Sequence, residues 1–247
     1  MLSKSQISFI KSLQQKKFRK EHNLFIVEGL KSITEFLASK YKVHSIYCLD
    51  TELSKLPNLS EKIKIFEISE AELGKISSLQ APQQALAIIE IPYSLNNLQI
   101  TDEIVLVLDG IQDPGNLGTI IRTADWFGFE KIVCSKNTVD AYNPKVVQAT
   151  MGALSRVSLF YVDLFDFLKD HKLPKFGTLL NGNNIYAQEW PGAGFLVLGS
   201  EGNGISDEII SLLDHSITIP KLGLSESLNV GIAAAICCSE IRRNSLK

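Results

Sequence analysis

The sequence predicts an α/β protein of two domains, the second of which has a mostly parallel sheet covered by helices. Short apolar segments alternate with segments of helical periodicity over residues 103–243, the pattern of repeated βαβ units. Residues 92–97 are polar, contain a proline and interrupt this periodicity. We therefore expect a small α/β domain over residues 1–91, a linker over 92–102 and a larger domain over 103–247.

The first domain is predicted as a small unit in which strands and helices alternate. Leu24–Val27 is the first strand, and a glycine-containing turn follows it. A helix over residues 31–38 then places Ile33, Phe36 and Leu37 on one face. The remaining predicted elements are strands at 43–49, 64–68 and 85–90 and a helix at 69–76.

The second domain begins with a strand that is predicted to be fully buried. Ile104–Leu108 is a continuous apolar run, which is typical of a strand covered on both faces of a parallel sheet. A loop containing Asp-Pro-Gly follows, and a helix over 117–127 ends at Gly128. The later predicted elements are strands at 131–134, 177–180, 195–198 and 216–219 and helices at 145–154, 206–213 and 228–243.

Charge is distributed unevenly along the chain. The total of 25 basic and 27 acidic side chains argues mildly against a nucleic-acid partner. Residues 1–31, however, carry a net charge of +5, and the rest of the chain carries −7. The run Lys16-Lys17-Phe18-Arg19-Lys20 mixes cations with an aromatic ring, which suits phosphate contacts and base stacking. Lys16, Lys17, Arg19 and Lys20 are therefore candidate RNA contacts, although a solvated helix face explains the run equally well.

Several classes of function are excluded by what the sequence lacks. The apolar stretches are far shorter than the roughly 20 residues of a membrane helix, and the N-terminus does not resemble a secretory signal. We expect a soluble cytoplasmic protein with no membrane partner. The four cysteines and four histidines show no metal-ligand spacing, so no metal is expected. No histidine is placed to activate a thiol, and the cysteines are expected to be buried.

The first motif that suggests chemistry is the segment from Asp113 to Ala124. Its apolar residues follow helical spacing and point to the core, so Arg122 faces away from it. Gly118 lies one turn earlier on the same face, near a helix start where backbone N–H groups attract anions. The segment predicts a site for phosphate or another polar ligand. A surface arginine paired with Asp125 is the alternative.

The second motif is Gly199-Ser200-Glu201-Gly202-Asn203-Gly204, between a strand and a helix that Ser206 is predicted to cap. Its glycines permit close approach of a ligand to the backbone, and the carboxyl end of a parallel strand is a usual place for a site. A tight turn without a ligand is the alternative. The motif is neither a P-loop nor a dinucleotide fingerprint.

The third motif runs from Ile219 to Ala235. It is a polar, serine-containing loop in which Ser227 is the predicted N-cap of a helix of small residues. Small side chains let another group pack very close to this helix. A tightly packed core helix and a ligand or subunit contact are both compatible with this composition.

Together the three motifs resemble the SpoU/TrmH family of S-adenosylmethionine-dependent RNA ribose 2′-O-methyltransferases, within the SPOUT superfamily. The resemblance rests, in order, on the first motif (Asn116, Gly118, Arg122, Ala124), the second (Gly199, Glu201, Gly204) and the third (Ile219-Pro220, Gly223, Ser227-Leu228-Asn229-Val230). It covers residues 103–243. Segments 25–29 and 81–87 more weakly resemble the N-terminal RNA-binding domain that many members carry.

This resemblance implies a deep trefoil knot in the second domain, a homodimer whose active site is completed at the interface, and S-adenosylmethionine as methyl donor. It implies an RNA substrate, with rRNA favoured over tRNA, and an N-terminal domain that binds the RNA. The residues that it places around the reacting ribose are Asn116, Arg122, Glu201, Ser227 and Asn229. The residues that it places around the donor are Leu180, Gly199, Gly204, Ile219, Leu222 and Leu228.

Two points about the chemistry stay open at the level of sequence. The family treats the residue at the position of Arg122 as a general base, yet a guanidinium group stays protonated in proteins. Arg122 is therefore expected to orient the hydroxyl and a phosphate, and proton removal is left unassigned. The third motif usually continues with serine where this chain has Gly231. Loss of that hydroxyl allows an alternative function, a non-catalytic RNA-binding protein that retains the fold. A nicotinamide or flavin oxidoreductase is a weaker alternative, because no dinucleotide fingerprint is present.

Overall fold

The computed structural model describes residues 1–57, 63–92, 98 and 100–245. Its contacts divide the chain into two compact units. The first comprises Met1–Tyr93 together with Asp140–Arg156, and the second comprises Ser94–Val139 together with Val157–Lys247. Most of the predicted linker lies outside the described residues.

The helices and strands follow one another along the chain in the alternating pattern of an α/β protein. The helices are α1 (Lys4–Ser12), α2 (Lys16–His22), α3 (Leu30–Leu37), α4 (Glu70–Ile76), α5 (Pro114–Trp126), α6 (Pro144–Thr150), α7 (Leu164–Asp170), α8 (Asp207–Ile210) and α9 (Val230–Ser245). The strands are β1 (Leu24–Glu28), β2 (Val43–Cys48), β3 (Lys64–Glu67), β4 (Ala85–Glu90), β5 (Ile104–Asp109), β6 (Lys131–Ser135), β7 (Ser158–Val162), β8 (Lys175–Asn184), β9 (Gly194–Gly199) and β10 (His215–Thr218). Short 3₁₀ helices lie at Asp50–Lys55, Ala153–Ser155 and Ile185–Ala187.

The first unit contains a mixed sheet with strand order β1-β4-β2-β3, in which β4 is antiparallel to both of its neighbours. Helices cover both faces. Ile10 of α1 and Leu73 of α4 belong to the apolar cluster on one face. On the other face Phe25 of β1 contacts Phe36 of α3 and Tyr142, with ring centroids 5.6 and 4.8 Å apart. The segment 140–156 thus contributes to the core of the first unit.

The second unit contains a parallel sheet with strand order β10-β8-β9-β5-β6-β7. All six residues of β5 are buried, as expected for a strand covered on both faces. Asp109 at the end of β5 pairs with Gly199 at the end of β9, so the loops after these strands leave the sheet at one edge. Helix α9 packs against α5, and its Arg242 donates hydrogen bonds to the Phe127 and Gly128 carbonyls.

Most predicted elements are present, and the exceptions have local causes. Three elements, α1, β7 and α7, were not predicted, and for β7 the half-exposed pattern of an edge strand gives a weak signal. The helix expected over 206–213 is only the single turn α8. The helix expected over 145–154 ends at Thr150, where Met151 adopts a left-handed conformation with φ 52°. The trefoil knot stays a prediction.

Candidate active site

The first motif forms the start of α5, directly after the loop that follows β5. Asp113 is the N-cap, and its Oδ1 accepts a hydrogen bond of 2.8 Å from the Asn116 backbone N–H. Pro114 occupies the first turn, where its missing N–H costs nothing. Leu117, Ile120, Ile121 and Ala124 are fully buried, which confirms the predicted core face. This anchoring fixes the position of the Asn116 side chain at the helix start.

A polar link joins the three motifs through the side chains of Asn116, Glu201 and Asn229. The Asn116 Nδ2 donates a hydrogen bond to Glu201 Oε1, and the Asn116 Oδ1 accepts one of 2.8 Å from Asn229 Nδ2. The side-chain amide of Asn116 therefore donates a hydrogen bond to the second motif through its nitrogen and accepts one from the third motif through its oxygen. The structure brings these three predicted residues together although 85 and 113 positions separate Asn116 from its two partners.

Asn229 is also the N-cap of α9, the residue directly before its first helical residue, Val230. Its Oδ1 accepts hydrogen bonds from the Gly231 and Ile232 backbone N–H groups, at 2.9 and 3.3 Å. The predicted cap at Ser227 is therefore wrong: Ser227 lies in the exposed loop two residues before Asn229. Asn229 supplies both the cap and the contact to Asn116, because the two functions use different ends of its amide.

The glycine-containing second motif is a turn closed on its own backbone. Ser200 and Gly204 exchange backbone hydrogen bonds of 3.0 and 2.9 Å. A Cβ at Gly199 would come within 2.1 Å of the Gly204 carbonyl carbon and the Ile205 nitrogen, so no side chain fits there. Gly204 has a φ of 67°, which favours glycine. Both glycines are thus required by the turn that presents Glu201.

The other residues predicted to surround the substrate or donor are accessible on the surface of the second unit. Arg122 is exposed and has no hydrogen bond or ion pair to any residue that the structure describes. Leu180, Leu222 and Leu228 are exposed by 73, 101 and 51%. Ile219 follows β10 and is half-buried. These positions offer apolar surface and a free cation to a ligand.

Asp109, at the end of β5, supports the site and was not singled out from the sequence. It is 9% exposed, and its Oδ2 accepts hydrogen bonds of 2.8 Å from both the backbone N–H and the hydroxyl of Ser206. The Ser206 hydroxyl consequently does not cap α8, contrary to prediction. A carboxylate directly after five apolar residues was the available signal. This contact ties the end of the second motif to β5.

The basic run in the first unit separates into exposed and buried side chains. Lys16, Lys17 and Lys20 are exposed on α2, as expected for candidate RNA contacts. Arg19, in contrast, is 2% exposed, and its Nη2 lies 2.6 Å from Asp140 Oδ2. Its Nη1 donates hydrogen bonds to the Leu13 and Gln14 carbonyls, so Arg19 is a structural residue and the prediction of an RNA contact there is wrong.

The cysteine thiols are unsuited to nucleophilic chemistry. All four are buried and free, and burial raises the pKa of Cys237 to about 12. Burial also raises the pKa of Cys48, Cys134 and Cys238, which keeps these thiols protonated at neutral pH.

Within the described part of the chain no helix is long and apolar enough to cross a membrane.

Comparison with known proteins gives consistent matches over nearly the whole chain. The model of the SpoU rRNA methylase family matches residues 103–239, and that of the MRM3-like substrate binding domain matches residues 4–87. The 23S rRNA (guanosine(2553)-2′-O)-methyltransferase RlmP of Bacillus subtilis is 32% identical over 94% of each chain.

Solved structures resemble the whole chain. A TrmH-family protein from Porphyromonas gingivalis is 38% identical, with a TM-score of 0.90 over 98% of this chain and 99% of that one. An rRNA methyltransferase from Sinorhizobium meliloti with bound AdoMet is 28% identical, with a TM-score of 0.90 over 100% of this chain and 98% of that one.

The parallel sheet and the three joined motifs define a methyltransferase of SPOUT architecture. This confirms the predicted fold class. The family match covers more than half of the chain, and the matched relatives are similar over almost their full length. The protein belongs to the SpoU rRNA methylase family, as the resemblance of its motifs indicated.

Proposed function

We propose that this protein transfers the methyl group of S-adenosylmethionine to a ribose 2′-hydroxyl of rRNA. The observation that carries this proposal is the link of Asn116 to Glu201 and Asn229, which assembles all three family motifs into one site. The names of the relatives support rRNA as the substrate, and the bound AdoMet in the S. meliloti structure supports the donor.

The residues proposed to hold the donor offer suitable chemistry. Leu180, Leu222 and Leu228 present apolar side chains to solvent, and the adenosine part of the donor is a flat group that such surfaces cover. Gly199, Gly204 and Ile219 contribute the backbone of the surrounding loops. When bound, S-adenosylmethionine supplies an electrophilic methyl group attached to a sulfonium.

The side chains of the polar link are proposed to orient the ribose. In-line transfer requires the hydroxyl oxygen to approach the methyl carbon opposite to sulfur, so positioning lowers the barrier. Glu201 accepts hydrogen bonds, and Asn229 and Ser227 add polar groups to the same loop region. The exposed guanidinium of Arg122 is proposed to bind the adjacent phosphate, whose oxygens match its planar set of donors. Of these side chains, only the Glu201 carboxylate is suited to accept the hydroxyl proton.

The non-catalytic alternative rested on Gly231, and the structure gives no support to it. The Gly231 N–H donates to Asn229 Oδ1, so the start of α9 is formed without a hydroxyl at this position. A Cβ at Gly231 would lie 3.0 Å from Thr119 Cγ2. Thr119 therefore fills the space beside Gly231, and no open space marks a missing catalytic group.

We further propose the roles of the two domains, the location of the protein and its oligomeric state. Residues 1–91 are proposed as the RNA-binding domain and 103–247 as the methyltransferase domain, joined by the linker 92–102, except that residues 140–156 pack in the first unit and are assigned to the RNA-binding domain. The protein acts in the cytoplasm without a metal. It is a knotted homodimer, which the exposure of Trp126 (84%) on α5 and Ile232 (51%) on α9 supports. Sedimentation should give twice the chain mass of 27.4 kDa, and a monomer would contradict the dimer.

Methyl transfer to rRNA purified from a strain lacking the gene tests the function directly. We expect the wild-type protein to incorporate label from S-adenosylmethionine at a 2′-hydroxyl. Arg122→Ala should bind the donor and lose transfer by about 100-fold or more, the size of effect of one oriented electrostatic contact. Lys172→Ala, which removes a lysine outside the three motifs, is the matched control. Absence of donor binding by the wild-type protein would refute the proposal.

A further inference from the structure

A groove of about 660 Å³ lies in the first unit between α1 and α2, outside the site described above. Its lining consists of one face of α1, the connection to α2 and one aromatic ring of α2: Lys4, Ile7, Ser8, Lys11, Ser12, Gln14, Gln15 and Phe18. This volume lies within the range of pockets that bind small organic ligands. It is large enough for a nucleotide.

The chemistry of the lining is that of a nucleic-acid contact. Lys4, Ser8 and Lys11 share one exposed face of α1, because they are spaced by four and three residues. Neither lysine has an ion pair within the described ranges, and none of the described lining residues is acidic. The two ammonium groups start about 10 Å apart along the helix, so they can contact different phosphates of one strand. Ile7 and Phe18 supply apolar surface for a base.

The groove is held in shape by the buried Arg19. Its guanidinium donates hydrogen bonds of 3.1 and 2.8 Å to the Leu13 and Gln14 carbonyls, which lie in the connection between the two helices. Asp140 fixes the other side of the guanidinium. A surface that is rigid before binding loses less entropy on binding, which raises affinity. This rigidity distinguishes the groove from a mobile array of surface lysines.

We propose that this groove binds a single-stranded segment of the RNA substrate, with phosphates at Lys4 and Lys11 and an unpaired base against Phe18. The inference rests on the proposed function, since it takes RNA as the substrate. Single-stranded RNA is favoured over duplex because only an unstacked base can reach the apolar side chains of a groove. The polar ends of Ser8, Ser12, Gln14 and Gln15 would then contact the base edge.

The test measures binding of the full-length protein to a fluorescein-labelled uridine oligonucleotide and to an RNA duplex of the same length, over a series of salt concentrations. Lys4→Gln/Lys11→Gln should weaken single-strand binding about tenfold at physiological salt and lower the salt slope by about 1.4. Phe18→Leu should weaken it about tenfold and leave the salt slope unchanged. The matched control is Lys31→Gln/Lys40→Gln, on and just after α3, which covers the opposite face of the sheet.

Each outcome decides the proposal. The proposal is overturned if Lys4→Gln/Lys11→Gln and the control Lys31→Gln/Lys40→Gln bind the oligonucleotide with equal affinity. It is also overturned if Lys4→Gln/Lys11→Gln loses as much affinity for the duplex as for the oligonucleotide. Loss of binding to polyglutamate without loss of binding to RNA would also overturn it, by assigning an acidic protein segment to the groove. Methyl transfer is measured in parallel at saturating rRNA. Failure of the wild-type protein to transfer methyl would refute the proposed function alone, since the oligonucleotide measurements would still stand.

Discussion

The amide of Asn116 is the centre of the polar link, and the isosteric change Asn116→Asp tests its role. Aspartate keeps an acceptor for Asn229 Nδ2 but removes the donor to Glu201 and places two carboxylates together. The lost bond costs about 1 kcal/mol, the value for an ordinary hydrogen bond, because the Glu201 carboxylate is exposed to water. Repulsion between two charges at about 4 Å in water adds about 1 kcal/mol.

A total of about 2 kcal/mol corresponds to about a thirty-fold loss of kcat/KM if the link positions Glu201 and Asn229 for the ribose. The assay is methyl transfer to rRNA at subsaturating RNA, with unfolding by urea measured in parallel. Asn203→Asp is the matched control, because it adds the same charge to the exposed second motif. Activity of Asn116→Asp within about threefold of this control would refute the positioning role.

The double variant Asn116→Asp/Glu201→Gln separates positioning from chemistry. The glutamine amide can donate to the new aspartate, which restores a hydrogen bond with donor and acceptor exchanged. We expect the free energy of unfolding to return close to the wild-type value. Activity should stay low, because position 201 no longer carries a carboxylate to accept the hydroxyl proton. Recovery of full activity would show that Glu201 only holds the link together.

Three other changes test the structural assignments. Asp140→Ala leaves the buried Arg19 guanidinium without its carboxylate and should lower the free energy of unfolding by about 3 to 5 kcal/mol in urea titrations. Hydrogen bonds from the Ser69 and Leu2 backbone N–H groups lower the pKa of Glu72 to about 2. The folding stability that this carboxylate contributes is therefore fully present above its unfolded pKa and is lost as the pH falls through its folded pKa. Glu72→Gln should therefore make the melting temperature less dependent on pH between pH 4.5 and 2. Gly231→Ser should cost about 1 to 3 kcal/mol by overpacking against Thr119, and Thr119→Ser should relieve most of this cost.

Each of these changes has a matched control in the chain. Glu90→Ala breaks an exposed ion pair with Lys42 and should cost less than about 1 kcal/mol. Glu70→Gln lies in the first turn of the same helix as Glu72 and should leave the acid dependence intact. Gly202→Ser adds a side chain where nothing lies within 4 Å. If a variant and its matched control change the free energy of unfolding, or for Glu72 the pH dependence of the melting temperature, by the same amount, the corresponding prediction is contradicted.

The parts of the fold that follow from local pattern were predictable from sequence. The apolar run of β5 and the helical spacing of Leu117, Ile120 and Ile121 on α5 lead directly to their burial. The family motifs likewise identified Asn116, Glu201 and Asn229 as members of one site. Each of these signals is contained within a few residues of sequence.

The parts that depend on distant partners were not predictable. Ser227 and Asn229 are both good N-caps by residue type, and the choice of Asn229 accompanies its contact with Asn116, 113 positions away. Arg19 looks like one more cation in a basic run, because its partner Asp140 lies 121 positions away. A residue of polar type becomes structural or functional according to contacts that local sequence does not contain.

The first unit is built from two separate stretches of chain, and this limits how evolution or an engineer can exchange it. Residues 140–156 lie inside the segment matched by the methylase family, yet Tyr142 packs on Phe25 and Arg156 pairs with Glu35. A graft of residues 1–91 from a relative would therefore meet a foreign set of core partners in the recipient. Recombination that changes RNA preference has to carry both stretches, so the two parts of this chain are expected to have co-varied through the history of the family.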